Sequence, residues 1–317
     1  MTQQDAGGPR ARPAVVGGAY AFVAYLLWGL FPLYFIALLP SGPWEVVAWR
    51  VLLTVVFCVI AISVMRGWSA LGRIVRQPRL LGLSALAGVL IFVNWTVYLI
   101  ATLTGHVIEA SLGYFINPIV TVLLGVLVLH ERLRRLQWAA IGFAAAAVTV
   151  IVIGYGKMPW ISLLLAFSFG FYGLVKNRIG PSVDALSGLA LETAWLIPVA
   201  AGMLIWVSAT TGITVGTAGI GHGVLLLMAG VVTAVPLLLF AAATRRAPLS
   251  LVGLLQFLNP ILQFVIGAAI LHEDMPLERW IGFALVWVAL IVLTIDSLIA
   301  VRRAHDAPGI NPVADIT

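Results

Sequence analysis

Long apolar runs constrain this chain more than any other feature of its sequence. Ten stretches of about 20 residues, the length that crosses a bilayer as a helix, follow one another along the chain. Only 9% of the residues are charged, whereas soluble domains carry roughly 25%. A β-barrel would instead show alternating segments of about ten residues. The sequence therefore predicts an all-α integral membrane protein with ten transmembrane helices.

Turn-forming residues separate the apolar runs. Pro and Gly end helices, and they recur at breaks such as Pro40-Ser41-Gly42-Pro43 and Gln77-Pro78-Arg79. The first run lacks a cleavage site of small residues, so we expect it to remain as a helix. Residues 1–14 are expected to be a disordered cytoplasmic N-terminus, and 302–317 a cytoplasmic tail. The predicted spans are 15–38, 43–65, 80–102, 106–129, 136–155, 159–179, 184–206, 220–243, 249–271 and 279–301.

The positions of the basic residues predict the orientation. With both termini in the cytoplasm, 15 of the 18 Lys and Arg residues fall in cytoplasmic segments. Lys157 and Arg279 fall in outside loops, and Arg50 falls inside a span. This distribution follows the positive-inside rule. We expect a multi-pass protein of a bacterial-type inner (plasma) membrane, with the lipid bilayer around it and no nucleic-acid partner, since no basic stripe lies outside the membrane-flanking loops.

The chain contains an internal repeat. Phe115-Ile116-Asn117-Pro118-Ile119 recurs 142 residues later as Phe257-Leu258-Asn259-Pro260-Ile261, and Leu129-His130-Glu131 recurs at the same offset as Leu271-His272-Glu273. Several matches in the same order indicate a unit present twice, here as five-helix repeats over 15–155 and 159–301. Because five is odd, the second copy must enter the membrane from the opposite side. Inverted repeats of this kind are a transporter architecture.

At these motifs the chain resembles the EamA family of the drug/metabolite transporter superfamily, and more narrowly its RarD subgroup of permeases. The residues that carry the resemblance are Asn94-Trp95, the run from Glu109 to Pro118, Phe257-Leu258-Asn259-Pro260 and the closing Trp280-Ile281-Gly282-Phe283. The resemblance extends from about residue 17 to 300. It implies ten helices in two inverted repeats and the export of small molecules.

Two charged residues inside spans are candidates for function, because buried charges are costly and usually face a cavity or a partner. Arg50 lies about 10 Å along its span. It could be an arginine that extends to the outer surface, or a contact for an anion or carboxylate. Glu192 occupies the equivalent position 142 residues later. It could be a structural ion-pair member, a protonated carboxyl or a group that couples transport to protons, and it could pair with Arg50.

The two Asn-Pro pairs lie near the middle of their spans. Proline frees a backbone carbonyl one turn earlier, at Tyr114 and Gln256, and such carbonyls form substrate sites in transporters; kinks needed only for packing are the alternative. Asn94 and Tyr98 lie one helical turn apart. Tyr25, Tyr34 and other aromatic residues would line a cavity for flat, partly apolar molecules. The predicted substrate-binding residues are Trp28, Arg50, Asn94, Tyr98, Tyr114, Asn117, Tyr172, Gln256 and Asn259.

The remaining polar motifs do not predict an enzyme or a metal site. His130-Glu131 and His272-Glu273 fall on opposite sides of the membrane and make a poor ligand set, so helix capping or loop ion pairing is favoured. No cofactor and no catalytic residue are expected, since the clustered groups of a membrane enzyme and phosphate-binding loops are not present in the sequence.

The predicted function is secondary export of a small amphiphilic metabolite or drug by alternating access, with proton influx as a candidate energy source. Import and a membrane enzyme are the alternatives. Small-residue runs such as Ala144-Ala145-Ala146-Ala147 let helices approach closely and leave a homodimer open.

Overall fold

The computed structural model describes residues 11–129, 133–180, 183–247 and 249–306. Most of the expected N-terminal segment 1–14, most of the expected tail 302–317 and the pair His130-Glu131 lie outside the described residues. Within them, every regular element is helical. In chain order the elements are α1 (Ala11–Gly29), α2 (Phe31–Ile36), α3 (Pro43–Val64), α4 (Trp68–Val75), α5 (Pro78–Leu103), α6 (Val107–Leu129), α7 (Arg135–Tyr155), α8 (Trp160–Ile179), α9 (Ala185–Ala194), α10 (Ile197–Thr210), α11 (Ile220–Leu227), α12 (Ala229–Thr244), α13 (Leu249–Leu255), α14 (Leu258–Val265), a π-helical turn (Ile266–Ile270) and α15 (Leu277–Asp306).

The described residues contain nine helical segments long and apolar enough to cross a membrane, and a bent pair, α9 with α10, that gives a tenth span. Their bounds agree with the predicted spans to within a few residues. Pro43–Val64, for example, corresponds to the expected 43–65, and Trp160–Ile179 to 159–179. The all-α membrane fold with nine or ten spans is thus confirmed.

Local sequence explains where many helices begin and end. Pro43 and Pro78 occupy the first turn of α3 and α5, where the missing N–H of proline has no helical partner to lose. Gly156 and Gly180 follow α7 and α8 with φ of 69° and 71°, a left-handed conformation that favours glycine. These signals are local, which is why the predicted boundaries agree with the structure.

Interruptions inside the spans were predicted less well. The seventh span bends by 49° between α9 and α10, where Pro198 cannot donate to the Ala194 carbonyl; the sequence analysis did not anticipate this bend. In contrast, α6 continues through Pro118. The ninth span is interrupted between α13 and α14, but the Gln256 carbonyl accepts the Asn259 N–H at 3.3 Å. The expected free carbonyl at Gln256 is therefore occupied.

The helices form two compact units, and each unit takes helices from both halves of the sequence. The larger unit comprises Met1–Asn117 and Pro159–Met275. In it, α3 packs against α9, α10 and α12, α5 packs against α8 and α9, and α1 packs against α12 and α14. Phe35, Leu38 and Leu165 are among the side chains that fill its core.

The smaller unit comprises Pro118–Met158 and Pro276–Thr317. Its main contact is the packing of α7 along α15. The helices approach closely where Gly282 faces the Ile151 side chain. An ion pair of 2.9 Å joins Arg134 to the buried Asp296. All of the predicted substrate-binding residues and Glu192 belong to the larger unit.

Candidate functional site

Arg50 is a buried cation without a carboxylate partner. It lies seven residues beyond the first residue of α3 and is 3% exposed. Its Nε donates to the Thr233 Oγ1 of α12 at 2.9 Å. Its Nη1 has no hydrogen-bond partner, and neither of the two ion pairs found among the described residues includes it. The guanidinium therefore does not extend to the surface, and part of its hydrogen-bonding capacity is unused.

Aromatic rings surround the Arg50 guanidinium. Its Cζ lies 4.2 Å from the ring centre of Trp95, 5.3 Å from that of Phe35 and 5.5 Å from that of Phe31. Cation–π attraction stabilises a desolvated guanidinium in such a position. These rings replace the hydration shell in part, but they supply no hydrogen-bond acceptor for Nη1.

Glu192 is equally buried, but it is paired. It lies seven residues beyond the first residue of α9 and is 1% exposed. Its Oε1 is 2.7 Å from Lys176 Nζ, and its Oε2 accepts the Tyr172 hydroxyl at 3.1 Å. Of the alternatives that the sequence left open for Glu192, the structure therefore shows an ion pair with Lys176 and not with Arg50. Lys176 is not among the predicted site residues, although its position four residues after Tyr172 places both side chains on one helix face.

A continuous series of ring contacts joins the surroundings of Arg50 to those of Glu192. The ring centres are 6.1 Å apart for Phe35 and Tyr98, 5.8 Å for Tyr98 and Tyr114, 6.4 Å for Tyr114 and Phe169, and 5.9 Å for Phe169 and Tyr172. We call these five residues the aromatic path. It contains the predicted residues Tyr98, Tyr114 and Tyr172, which the sequence placed on three different spans.

Asn94 holds one member of the aromatic path in place. Its Nδ2 donates to the Leu165 carbonyl and the Ser168 Oγ, both at 3.1 Å, and its Oδ1 accepts the Tyr114 hydroxyl at 3.2 Å. Because both ends of the amide are engaged and the side chain is buried, Asn94 is suited to position Tyr114.

The other predicted residues lie elsewhere in the larger unit. Trp28 packs with Tyr25 and Phe240, at ring-centre distances of 5.5 and 5.8 Å. Asn259 Oδ1 accepts the Gln263 Nε2 at 2.7 Å. Gln263 is 2% exposed, and sequence analysis missed it although it follows Asn259 by one helical turn.

Asn117 and Gln256 are both half-buried. Asn117 lies on α6, while Gln256 lies in the interruption between α13 and α14. As amides, they are not members of the aromatic path, which consists of ring contacts.

An apolar cleft adjoins the Arg50 surroundings. It has a volume of about 310 Å³, at the small end of the range for ligand pockets. Phe31 belongs both to this cleft and to the rings around Arg50. The lining residues, from α1, α2, α12 and Leu30 between the first two, are Leu27, Leu30, Phe31, Tyr34, Val231, Val232, Val235 and Pro236.

The second Leu-His-Glu motif caps a helix. The two carboxylate oxygens of Glu273 accept the N–H groups of Val107 and Ile108 at 2.6 and 2.9 Å. A carboxylate at this position satisfies amides that lack a helical acceptor. The capping interpretation of this motif is confirmed, and it fastens the start of α6 to the loop that follows the π-helical turn.

Comparisons with known proteins agree with these observations. Residues 15–153 match the model of the EamA-like transporter family. The chain is 48% identical over 289 residues to Protein RarD of Streptomyces exfoliatus, covering 91% of each chain. It is 41% identical over 286 residues to the Uncharacterized transporter YojE of Bacillus subtilis, covering 89% of this chain and 94% of that one.

A solved crystal structure is similar to this fold. It gives a TM-score of 0.57 at 18% sequence identity and covers 90% of this chain and 98% of that chain, a likeness that concerns the fold alone. Together, the apolar spans, the ordered motifs and the identity to relatives over nine-tenths of their length show that the chain belongs to the EamA family of drug/metabolite transporters, within its RarD-like group.

Proposed function

We propose that the protein is a secondary exporter that moves a small amphiphilic metabolite or drug by alternating access. The observation that carries this proposal is the placement of Arg50 and Glu192. Each lies seven residues into its helix, and the two helices begin 142 residues apart. In the proposed topology the second and seventh spans run in opposite directions, so the two buried charges lie about 10 Å along their spans from opposite ends, with the aromatic path between them.

The helix contacts support two inverted repeats. At the 142-residue offset, Gly88 of α5 corresponds to Gly230 of α12. The Gly88 Cα faces the backbone of Glu192 on α9, and the Gly230 Cα faces the backbone of Leu53 on α3. A two-fold operation that exchanges the halves would exchange these helix pairs, although Glu192 corresponds to Arg50 at this offset, so the second contact is displaced by three residues along α3. The packing of α5 on α8 and of α1 on α12 is related in the same way.

Alternating access requires contacts that close one end while the other opens. Glu273 supplies such a contact, since it binds the start of α6 through two backbone amides. The ion pair of Glu192 with Lys176 supplies another, since it joins α9 to the end of α8. Both contacts are electrostatic and can break without unpacking the apolar core.

Glu192 is the group that we assign to proton coupling. Protonation would neutralise the Glu192 carboxylate and weaken its attraction to Lys176. The contact between α8 and α9 would therefore depend on the charge of Glu192. In proteoliposomes, Glu192→Gln should transport substrate at a rate that no longer depends on the proton gradient. A variant that retains the full pH dependence of the native protein would refute this role.

We assign the protein to a bacterial inner membrane with both termini in the cytoplasm, because the basic residues are concentrated in the corresponding loops. In this orientation Arg50 lies nearer the outer surface and Glu192 nearer the cytoplasm. Reporter fusions after residues 67 and 212 test the assignment, since these positions should lie inside and outside respectively.

The proposed function is tested by untargeted mass spectrometry of culture medium. Cells that lack the protein, overproduce it, or overproduce Arg50→Ala should be compared. Enrichment of a compound outside only the cells with the native protein is the expected result. Depletion of a medium component by the same cells would instead establish import, and a new chemical product would indicate an enzyme.

A further inference from the structure

We infer that the transported molecule is a monocarboxylate with a flat apolar body, whose carboxylate binds Arg50 and whose body lies in the cleft beside Phe31. This inference rests on the proposed transport function and names the substrate class of the same site. The cleft adjoins the Arg50 surroundings at one residue, Phe31, whose ring contributes to both.

The charges around the site favour an anion. Among the described residues of the larger unit, the buried Asp, Glu, Lys and Arg side chains are Glu45, Arg50 and Glu192. Glu192 is paired with Lys176. Glu45 is five residues from Arg50, about 140° around the helix, and its carboxylate accepts the Thr214 N–H at 2.8 Å and the Thr214 hydroxyl at 3.0 Å. Arg50 is thus left without a counter-charge.

The unused hydrogen-bonding group fits a carboxylate. The Nε of Arg50 is engaged by Thr233, but Nη1 is not bonded. A buried donor without an acceptor is costly, and a carboxylate oxygen is the acceptor that a guanidinium binds most strongly. Neither an ammonium nor a neutral ring would accept a hydrogen bond from Nη1, and an ammonium would in addition be repelled by the positive charge of Arg50.

The cleft fits the apolar part of such a molecule. Apart from the Tyr34 hydroxyl, its side chains carry no polar group, and that hydroxyl donates to the Leu225 carbonyl at 2.8 Å. Val231, Val232 and Val235 flank Thr233 on α12, so the same helical turns supply the apolar wall and the residue that orients Arg50. No carboxylate lies in this lining to receive the ammonium of an amino acid. A monocarboxylate is therefore favoured over a zwitterion.

Isothermal titration calorimetry of the full chain in nanodiscs tests this inference with four indole compounds of matched size. They are 3-indolepropionate, 3-indolepropionamide, tryptamine and tryptophan, which present a carboxylate, a neutral amide, an ammonium and a zwitterion. The propionate should bind about 10-fold or more tightly than the amide, the loss expected for a buried charged hydrogen bond. Tryptamine should bind most weakly.

Variants separate the two parts of the site. Arg50→Gln should bind the propionate and the amide equally, and Arg50→Lys should keep a reduced preference for the propionate, which also controls for misfolding. Val231→Trp, which fills the cleft, should weaken binding of all four compounds while keeping their order. Arg246→Gln, at an exposed arginine outside the cleft, is the matched control and should change nothing.

Three results would overturn the inference: equal or tighter binding of tryptamine or the amide, a preference for the propionate that survives in Arg50→Gln, or no saturable binding of any compound. Failure of the proposed function is distinguishable. If the propionate binds through Arg50 but the medium of producing cells is unchanged, the export proposal fails while the ligand class stands. If cells export a cation in an Arg50-dependent manner, the ligand class fails while export stands.

Discussion

Arg50 and Glu192 occupy equivalent positions in the two halves of the chain, but they have different surroundings. Both are at least 97% buried and lie seven residues into their helices. Glu192 has a cation at 2.7 Å, whereas Arg50 has three aromatic rings and one hydroxyl. Two helices can therefore carry a buried charge at the same position along their length, while the neighbouring side chains decide whether that charge has a partner within the protein.

The largest effect on transport is expected when the unpaired charge of Arg50 is removed. Arg50→Met keeps an unbranched apolar stem and removes the guanidinium with its charge. Transport should fall about 100-fold or more, the loss that follows when one partner of a buried charge pair is removed. Thermal unfolding of the purified protein should change little, because an unpaired buried charge does not stabilise the fold. Arg246→Met is the control. A large loss of thermal stability with normal transport would make Arg50 structural.

Substitutions in the Glu192–Lys176 ion pair should lower the stability of the protein, in contrast to Arg50→Met. Lys176→Met leaves Glu192 buried and unpaired, which should destabilise the protein by about 3 kcal/mol. Glu192→Gln should destabilise it less, because Lys176 is 31% exposed and can reach water. The double variant should recover most of the loss. Thermal melting of the four proteins measures these differences, and equal losses in the two single variants would contradict them.

Close helix packing provides a comparison of the two halves. Gly88→Ala should destabilise the fold by about 2 kcal/mol, the range for overpacking, since the new Cβ would lie 2.5 Å from the Glu192 carbonyl oxygen. Gly230→Ala should have a similar effect through Leu53. Gly82→Ala is the matched control on α5, because open space surrounds that position. Thermal melting again supplies the measurement, and a tolerated Gly88→Ala would refute the close contact.

The smallest expected effect lies at the starts of the two helices. Asp184 caps α9 by accepting the Ser187 N–H at 2.9 Å, while Gly42, at the equivalent position, precedes α3 without a side-chain cap. Asp184→Ala should destabilise the protein by about 1 kcal/mol at neutral pH. Gly42→Ala, in open space, should be close to neutral.

The pH dependence of the Asp184 effect has a definite sign. Burial alone would raise the pKa of Asp184, but hydrogen bonds from Ser187 outweigh it and lower the pKa below its ordinary value. The stabilisation is therefore present above the unfolded pKa of about 3.9 and is lost as the pH falls through the folded pKa. Melting curves of native and Asp184→Ala protein should converge below about pH 4. A gap that persists at low pH would contradict this.

Sequence reasoning succeeded where the signal is local. The apolar length of each span, the prolines at helix starts and the glycines at helix ends locate the helices. The ordered motifs locate the family. Charges and amides inside a span are rare, so the sequence alone indicates Arg50, Glu192 and Asn94 as candidate site residues.

Sequence reasoning failed where hydrogen-bond partners come from different helices. The bonds of Arg50 with Thr233 and of Asn94 with Leu165 join residues 183 and 71 positions apart. Thr233 carries no unusual local pattern, whereas Gln263 is marked only by its amide and its position one helical turn after Asn259. The bend at Pro198 was missed because proline is tolerated in membrane helices, and neighbouring helices decide whether it bends the chain.

By itself the sequence determined an all-helical membrane protein of the EamA family and the positions of Arg50 and Glu192 along their helices, because span length and helical rise are local properties. Only the tertiary structure decided that Glu192 pairs with Lys176, that Arg50 is surrounded by Phe31, Phe35 and Trp95, and that tyrosines from several spans form one path. Those outcomes depend on which helix faces meet after packing, and small differences in side-chain direction select one partner over another.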